Sequence, residues 1–245
     1  MSVLTLRLAG PLQAWGASAR FARRTTESAP TKSGVIGMLA AARGMDRGDD
    51  EALARLAQLR FGVRIDQPGT RIRDFQTAHH GDTGKSMPLS ERYYLADAAF
   101  VAAVEGEDGL LEELDAALHH PVHAPYLGRR SCPPAHPVRL GLHHGTDLAD
   151  ALQAEPWQAS AWYRTQRRRD ATVSLTVLRE ARADEPDADL LRDQPLSFAA
   201  EHRRHALRTV VTTTVEVPNP SARTASASRS VPRHDPFAAL EEESA

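Results

Sequence analysis

The chain has 245 residues, of which 41% are hydrophobic and 25% are charged, and its formal net charge is −2. This length and apolar fraction suit one large domain or two small ones with an ordinary core. No apolar run approaches the ~20 residues of a membrane-spanning helix, and the N-terminus lacks the pattern of a signal peptide. The single cysteine, Cys132, excludes an internal disulfide and a cysteine-based zinc site. We therefore expect a soluble cytoplasmic protein with no membrane contact.

The small net charge conceals blocks of opposite sign. Of the 30 basic residues 28 are arginine, which is typical of GC-rich coding sequences, although guanidinium groups also suit phosphate recognition. Basic residues dominate 1–44, 160–182 and 203–208, whereas acidic residues dominate 105–115 and 241–243. Such segregation is compatible with an anionic partner on one face of the protein.

Hydrophobic periodicity predicts alternating strands and helices up to residue 145. Alternating leucines from Leu4 to Leu8 are typical of a strand with one buried face, whereas Thr31 and Gly44 carry the start and stop signals of a helix. The first predicted elements are a strand at 3–8, a helix at 32–43, a second helix that begins at 49, and a strand at 61–65. An interior strand follows at 98–104, then a helix capped by Asp108 that runs to 118, and a strand at 138–142.

The order of these elements is the β-α-β-β-α-β plan of a ferredoxin-like α+β domain over 1–145. The segment 71–95 interrupts the plan, and its flanks predict the two arms of a hairpin with a polar tip at 79–86. An ordinary surface hairpin accounts for the same pattern. Beyond it, 146–217 predicts a smaller β-rich C-terminal subdomain, and the composition of 218–245 predicts a disordered tail.

Lys32 and Ser33 stand at the predicted start of the first long helix and resemble part of a nucleotide-binding loop. A P-loop requires glycines one and six residues before the lysine, and Thr31 and Thr26 occupy those positions, so an ATPase site is excluded. A helix N-terminus beside Lys32 remains a candidate site for one phosphate; alternatively, Lys32 merely faces water.

The sequence offers no pattern for a metal, a cofactor or a catalytic nucleophile. Eleven histidines include three adjacent pairs, but adjacent residues point away from each other and do not suit a metal site. Neither a G-x-G-x-x-G fingerprint nor a G-x-S-x-G elbow is present. Cys132 lacks an obvious base and is expected to be structural. We therefore expect no metal, no cofactor and no catalytic residue.

Four blocks of sequence carry a more specific pattern. They read LAGPLQAWG at 8–16, RFARRTT at 20–26, PTKSGVIGMLAAA at 30–42 and YLGRRSCP at 126–133. In content, order and spacing these blocks resemble the Cas-five family of CRISPR-associated proteins in its subtype I-E form. The similarity extends over residues 1–217.

The resemblance implies a ferredoxin-like domain of the RNA-recognition type with an inserted β-hairpin thumb at 71–95. It implies a non-catalytic subunit of Cascade, the CRISPR surveillance complex, that binds and caps the 5′ handle of the guide RNA (crRNA) in antiviral defence. The implied partners are the crRNA, a backbone subunit of the Cas-seven family and the large subunit CasA, with target DNA met only through the complex.

We expect the handle-binding residues to lie in or beside the matching blocks. For Trp15, stacking on a base and a place in the core are equally suitable roles. The RNA-binding set is Gln13, Trp15, Arg20, Arg23, Arg24, Thr31, Lys32, Ser33, Arg129 and Arg130, with His79, His80 and Lys85 at the thumb tip.

Two other functions remain open at this point. A metal-independent endoribonuclease that processes CRISPR repeat RNA would use a general base and a cation, for which His79, His80, Lys85, Tyr93 and His123 are suitable residue types. A purely structural adaptor would place its basic surface against acidic protein partners. The adaptor gains support if Arg23, Arg24, Lys32 and Arg129 do not share a face.

Overall fold

In the computed structural model, which describes residues 1–16, 23–183, 185–199 and 201–223, the chain forms a mixed α+β fold. The described strands are β1 (Ser2–Ala9), β2 (Leu12–Gln13), β3 (Arg23–Arg24), β4 (Arg60–Gln67), β5 (Thr70–Gln76), β6 (Ser90–Ala96), β7 (Ala99–Gly106), β8 (Arg139–His144), β9 (Thr172–Glu180), β10 (Asp189–Ser197) and β11 (Arg204–Pro218). The described helices are α1 (Lys32–Ala42), α2 (Asp50–Ala57), α3 (Asp108–His119), α4 (Leu148–Ala154) and α5 (Ala161–Gln166).

Seven strands form the main sheet in the order β10-β11-β9-β4-β7-β1-β8, and each neighbouring pair is antiparallel. All eight residues of β7 are buried, because helices cover both faces of the sheet at its centre. The interior strand predicted at 98–104 is therefore confirmed.

Successive side chains of β1 point to opposite faces of the sheet, so they pack against two different layers of helices. Leu4, Leu6 and Leu8 pack with α1, α2 and α3 on one face, whereas Val3 packs with Leu148 of α4 on the other. Residues of β1 on the Val3 side, including Arg7, therefore belong to the layer of α4.

The helix boundaries follow the capping signals with one exception. Thr31 caps α1, and Gly44 follows its end with a φ of +73°. The prediction that Asp108 caps α3 is wrong, because Glu107 occupies the N-cap position and Asp108 is the first helical residue. The carboxylate of Asp108 instead accepts a hydrogen bond from Ser2 Oγ at 2.7 Å and lies 3.1 Å from the N-terminal amine.

A second, smaller sheet contains β2, β3, β5 and β6. Strands β5 and β6 are the arms of a hairpin, paired from Thr70 and Ala96 to Gln76 and Ser90. This pairing confirms the hairpin predicted at 71–95. On its other edge β6 pairs with β2 and β3, which connects the hairpin to the loop after β1.

The C-terminal strands continue the main sheet, where the sequence predicts a separate subdomain. β9 pairs with β4 of the N-terminal half, and β11 and β10 follow outward from it. Sequence periodicity predicts neither β10 nor α5, since β10 contains Arg192, Asp193 and Pro195 and is mostly exposed over its first half.

The predicted tail at 218–245 is partly structured. Pro218 is the last residue of β11, and the buried side-chain amide of Asn219 donates to the carbonyl oxygens of Arg167 at 2.8 Å and Asp170 at 3.2 Å. The prediction of disorder is therefore wrong for 218–223, and 224–245 lie outside the described residues. Within the described ranges no helix has the length and apolarity to cross a membrane.

Candidate nucleic-acid interface

Trp15 and Gln13 form the buried centre of the loop that follows β1. Trp15 is fully buried, and its indole N–H donates to Gln13 Oε1 at 2.9 Å. The amide of Gln13 in turn donates to the carbonyl oxygens of Leu8 at 3.0 Å and Ala98 at 2.8 Å. Of the two roles considered for Trp15, the structure supports the place in the core. Neither side chain reaches the surface, so the predicted RNA contact of Trp15 and Gln13 stays a prediction that this burial does not favour.

The block at 126–133 packs directly on the block at 8–16. Ala14 N donates to the carbonyl oxygen of Leu127 at 3.1 Å. Gly128 has a φ of +84°, and a Cβ at this position would collide with the carbonyl oxygen of Ala14. Residues 10–16 and 126–133 therefore form one interlocked structure, which we name the loop unit.

Helix α1 begins against the loop unit. Thr31 Oγ1 accepts a hydrogen bond from Gly34 N at 3.2 Å and is buried together with Ser33. A Cβ on Gly34 would lie 2.8 Å from the Trp15 ring, so the missing side chain allows the first helical turn to pack closely on the indole. Thr31 is therefore a buried capping residue, a role that accounts for its side chain without RNA.

Lys32 is turned into the protein. Only 2% of the residue is exposed, and its Nζ lies 2.7 Å from Glu180 Oε1 on β9. Its backbone N–H donates to Asp193 Oδ2 on β10 at 2.8 Å, and Asp193 also accepts two hydrogen bonds from Arg208 on β11. Burial lowers the pKa of Lys32, and the carboxylate of Glu180 opposes that shift. Two protein carboxylates occupy the position expected for phosphate, which favours a structural role for Lys32 over RNA binding.

Arginine and tyrosine side chains surround the paired strands β3 and β6. The Arg23 guanidinium lies 5.3 Å from the centroid of the Tyr93 ring, and that of Arg129 lies 4.7 Å from the centroid of Tyr94. Arg129 also donates to the carbonyl oxygens of Tyr93 at 3.1 Å and Arg24 at 3.0 Å, which fastens the loop unit to both strands. Arg23 and Arg24 are exposed. We name Arg23, Arg24 and Arg129 the arginine cluster.

Among the neighbours of this cluster, sequence reasoning missed Arg92 and Tyr94 and considered Tyr93 only as a nuclease candidate. The Nε atom of Arg92 is buried and has no hydrogen-bond partner among the described residues. Glu91 is the nearby acid, with Oε2 at 3.9 Å from Arg23 Nε. The signal was available in the run ERYYL at 91–95, where basic and aromatic residues adjoin.

Arg130 lines a surface cavity of about 700 Å³ beside the N-terminus of α1. Ser33, Tyr126, His123 and Arg203 also line it. Arg130 is exposed and forms no ion pair within the described ranges. Ser33 thus retains access to a cavity even though its side chain is buried. The remaining body residue of the predicted set, Arg20, lies outside the described residues.

The tip residues His79, His80 and Lys85 are all exposed at the end of the hairpin. His79 Nδ1 lies 3.2 Å from the carbonyl oxygen of Gly84, and the backbone N–H of His80 donates to the carbonyl oxygen of Lys85. Within the described residues, no hydrogen bond joins any two side chains of the nuclease candidates His79, His80, Lys85, Tyr93 and His123.

Cys132 is buried inside the loop unit. Burial raises the pKa of its thiol, so the nucleophilic thiolate is disfavoured, which agrees with a structural role. Among the residues that the structure describes, no group of three or more His, Cys, Asp or Glu side chains could hold a metal ion.

The exposed arginines Arg23 and Arg24 give the face around β3 and β6 a basic surface, as is common in nucleic-acid-binding proteins. A family model described as "CRISPR-associated protein (Cas_Cas5)" matches residues 3–211. The chain therefore belongs to the Cas5 family of CRISPR-associated proteins.

Individual relatives agree with this assignment. The "CRISPR system Cascade subunit CasD" of Escherichia coli (strain K12) is 37% identical over 169 residues, which cover 62% of this chain and 75% of that protein. A solved "CRISPR RNA-guided surveillance complex" chain superposes with a TM-score of 0.70 at 33% identity, covering 92% of this chain and 95% of its own. A "Crystal structure of Cas protein" gives a TM-score of 0.66 at 37% identity, with 90% and 97% covered.

Replacing Gly128 by alanine tests the interlocking of the loop unit. We expect Gly128→Ala to lower the free energy of unfolding by about 1–3 kcal/mol for the left-handed backbone and by about 1–3 kcal/mol more for the collision with Ala14. Gly145→Ala is the matched control, because Gly145 has a φ of +67° and no atom within 4 Å of the added Cβ. Equal losses in urea unfolding would contradict the interlocked arrangement.

Replacing Lys32 by methionine tests whether Lys32 stabilises the fold or contacts RNA. We expect Lys32→Met to lower the free energy of unfolding by about 3 kcal/mol, because Glu180 loses its partner. Adding Glu180→Gln removes the unpaired charge and should restore part of this loss. Guide-RNA affinity per folded molecule should not change. Normal stability with weakened RNA binding would instead make Lys32 an RNA contact.

Proposed function

We propose that this Cas5-family protein is a non-catalytic subunit of a type I-E Cascade complex that binds and caps the 5′ handle of the crRNA in antiviral defence. The observation that carries the proposal is the arginine cluster, which the loop unit and the β3–β6 pair hold together on one face. Family membership and the likeness to CasD and to a surveillance-complex chain support the same function.

The strand order supports a ferredoxin-like, RNA-recognition-type core within the larger sheet. Strands β4-β7-β1-β8, with α1 and α3 as the connecting helices, follow the β-α-β-β-α-β order over 1–145. In this proposal 146–217 supports the core by extending its sheet. The β5–β6 hairpin acts as the thumb, with His79, His80 and Lys85 near the RNA.

The residues of the proposed site divide into exposed arginines that contact RNA and residues that hold those arginines in position. Arg23, Arg24 and Arg130 are exposed and available to phosphates. Arg129 positions the strands around them, and Gln13, Trp15, Thr31 and Lys32 hold the loop unit and α1 from within. Arg23, Arg24 and Arg129 lie together, which supports handle binding. Lys32 is buried away from them, and this part of the arrangement favours the adaptor alternative.

The partners follow from the proposed place in the complex. The crRNA occupies the arginine-cluster face, and the protein contacts a backbone subunit of the Cas-seven family and the large subunit CasA in the cytoplasm. Target DNA is met only through the assembled complex. No reaction is assigned to this chain.

Affinity for guide RNA tests handle recognition. The complex reconstituted with this protein should bind a guide with its 5′ handle more tightly than a guide with a scrambled handle. Arg23→Gln and Arg130→Gln should weaken binding and reduce the slope of log K against log salt by about 0.7 per lost phosphate contact.

Arg55→Gln is the matched control, because Arg55 is exposed on α2 and belongs to neither the arginine cluster nor the cavity beside α1. Its affinity and salt slope should equal those of the unmodified protein. Equal affinity for the two guides would refute handle recognition.

A further inference from the structure

A cavity of about 690 Å³ lies on the face of the main sheet opposite α1. Arg7 of β1 and Arg164 of α5 line it, together with Trp157, Trp162 and His136. Its volume is within the range of pockets that bind small organic ligands. The cavity is separate from the one beside α1 and from the arginine cluster, since none of those side chains lines it.

The guanidinium groups of the two arginines that line this cavity are incompletely hydrogen-bonded within the described residues. The Nε atoms of Arg7 and Arg164 are both buried, and neither has a hydrogen-bond partner among the described residues. Burial and the charge of Arg164 lower the pKa of Arg7, and the carboxylate of Asp66 offsets that shift only in part. The two guanidinium groups therefore repel each other. An anion between them would satisfy both donors and relieve this repulsion.

The neighbouring acids do not supply that anion. Asp66 is buried nearby, but both of its oxygens accept from Arg64, at 2.7 and 2.9 Å, and Gln158 N donates to it as well. Asp97 is the carboxylate among the residues lining the cavity, and it is exposed on a left-handed turn with a φ of +55°. It forms no ion pair within the described part of the chain.

Trp162 gives the cavity an aromatic ring, and further cations follow in the chain after α5. Trp162 is 52% exposed, and its ring meets Tyr163 edge-on with centroids 5.6 Å apart. Arg168 and Arg169 follow α5, are exposed, and form no ion pair among the described residues. These residues belong to the basic block at 160–182, which the arginine cluster does not use.

We propose that this cavity binds one nucleotide of a single-stranded nucleic acid, with a phosphate between Arg7 and Arg164 and a base against Trp162. Adjacent phosphates of the strand contact Arg168 and Arg169. A carboxylate from an acidic protein segment would pair with the arginines, but it would leave the exposed indole and most of the cavity unfilled. The nucleotide accounts for the cations, the aromatic ring and the volume together.

A decauridylate RNA labelled with fluorescein and lacking any repeat sequence tests this site by fluorescence anisotropy on the full chain. The background is Arg23→Gln/Arg130→Gln, which weakens the face proposed for the handle. In that background Trp162→Ala and Arg164→Gln should each reduce the affinity about tenfold, as expected for loss of one stacked base or one phosphate contact.

Leu207→Ala and Arg55→Gln are the matched controls, since both residues are exposed and neither lines the cavity. They should leave the affinity unchanged. Thermal unfolding of Trp162→Ala should match that of its background, and Trp162→Phe should recover most of the binding. A 4-thiouridine in the RNA should crosslink to the peptide that contains Trp162.

Three outcomes would overturn the proposal. The first is unchanged RNA affinity in Trp162→Ala and Arg164→Gln. The second is displacement of the RNA by decaglutamate as effectively as by unlabelled decauridylate, which would assign the cavity to an acidic protein segment. The third is loss of discrimination between handle and scrambled guides in Trp162→Ala, which would make the cavity part of the handle site. Failure of handle recognition in Arg23→Gln tests the proposed function separately.

Discussion

The close packing of Trp15 between α1 and the sheet is the constraint on which the candidate interface depends. The ring is fully buried, and its N–H donates to Gln13. Gly34 packs so closely on the ring that a Cβ at this position would collide with it. This contact fixes the direction in which the loop unit leaves β1. Because Arg129 extends from the same unit to the carbonyl oxygens of β3 and β6, the position of the exposed arginines follows from a packed core rather than from surface contacts.

Basic residues that are close in sequence have different surroundings once the chain is folded. Lys32 and Arg208 are enclosed with Glu180 and Asp193, and this buried set of charges joins the start of α1 to the C-terminal strands. Arg23 and Arg130 remain exposed. A count of positive charges therefore overstates the surface available to RNA, and the residues that matter are those whose guanidinium groups remain exposed.

Much of the fold follows from local sequence signals, whereas the site does so only in part. The leucines of β1, the cap at Thr31 and the flanks of 71–95 are local patterns, and the structure confirms a strand, a helix start and a hairpin there. The partner of Lys32 is 148 residues away, and no short-range pattern reveals it. The same holds for the extension of the sheet by β9, since strand neighbours depend on packing of the complete chain.

Crosslinking from defined positions of the guide tests the central claim most directly. A complex reconstituted with this protein and a crRNA carrying 4-thiouridine at successive handle positions would be irradiated, and the attached peptides identified by mass spectrometry. The account predicts crosslinks to peptides containing Arg23, Tyr93 or Arg130, with spacer positions giving none of these. Handle crosslinks confined to other subunits, or to surfaces of this chain away from the arginine cluster, would contradict it.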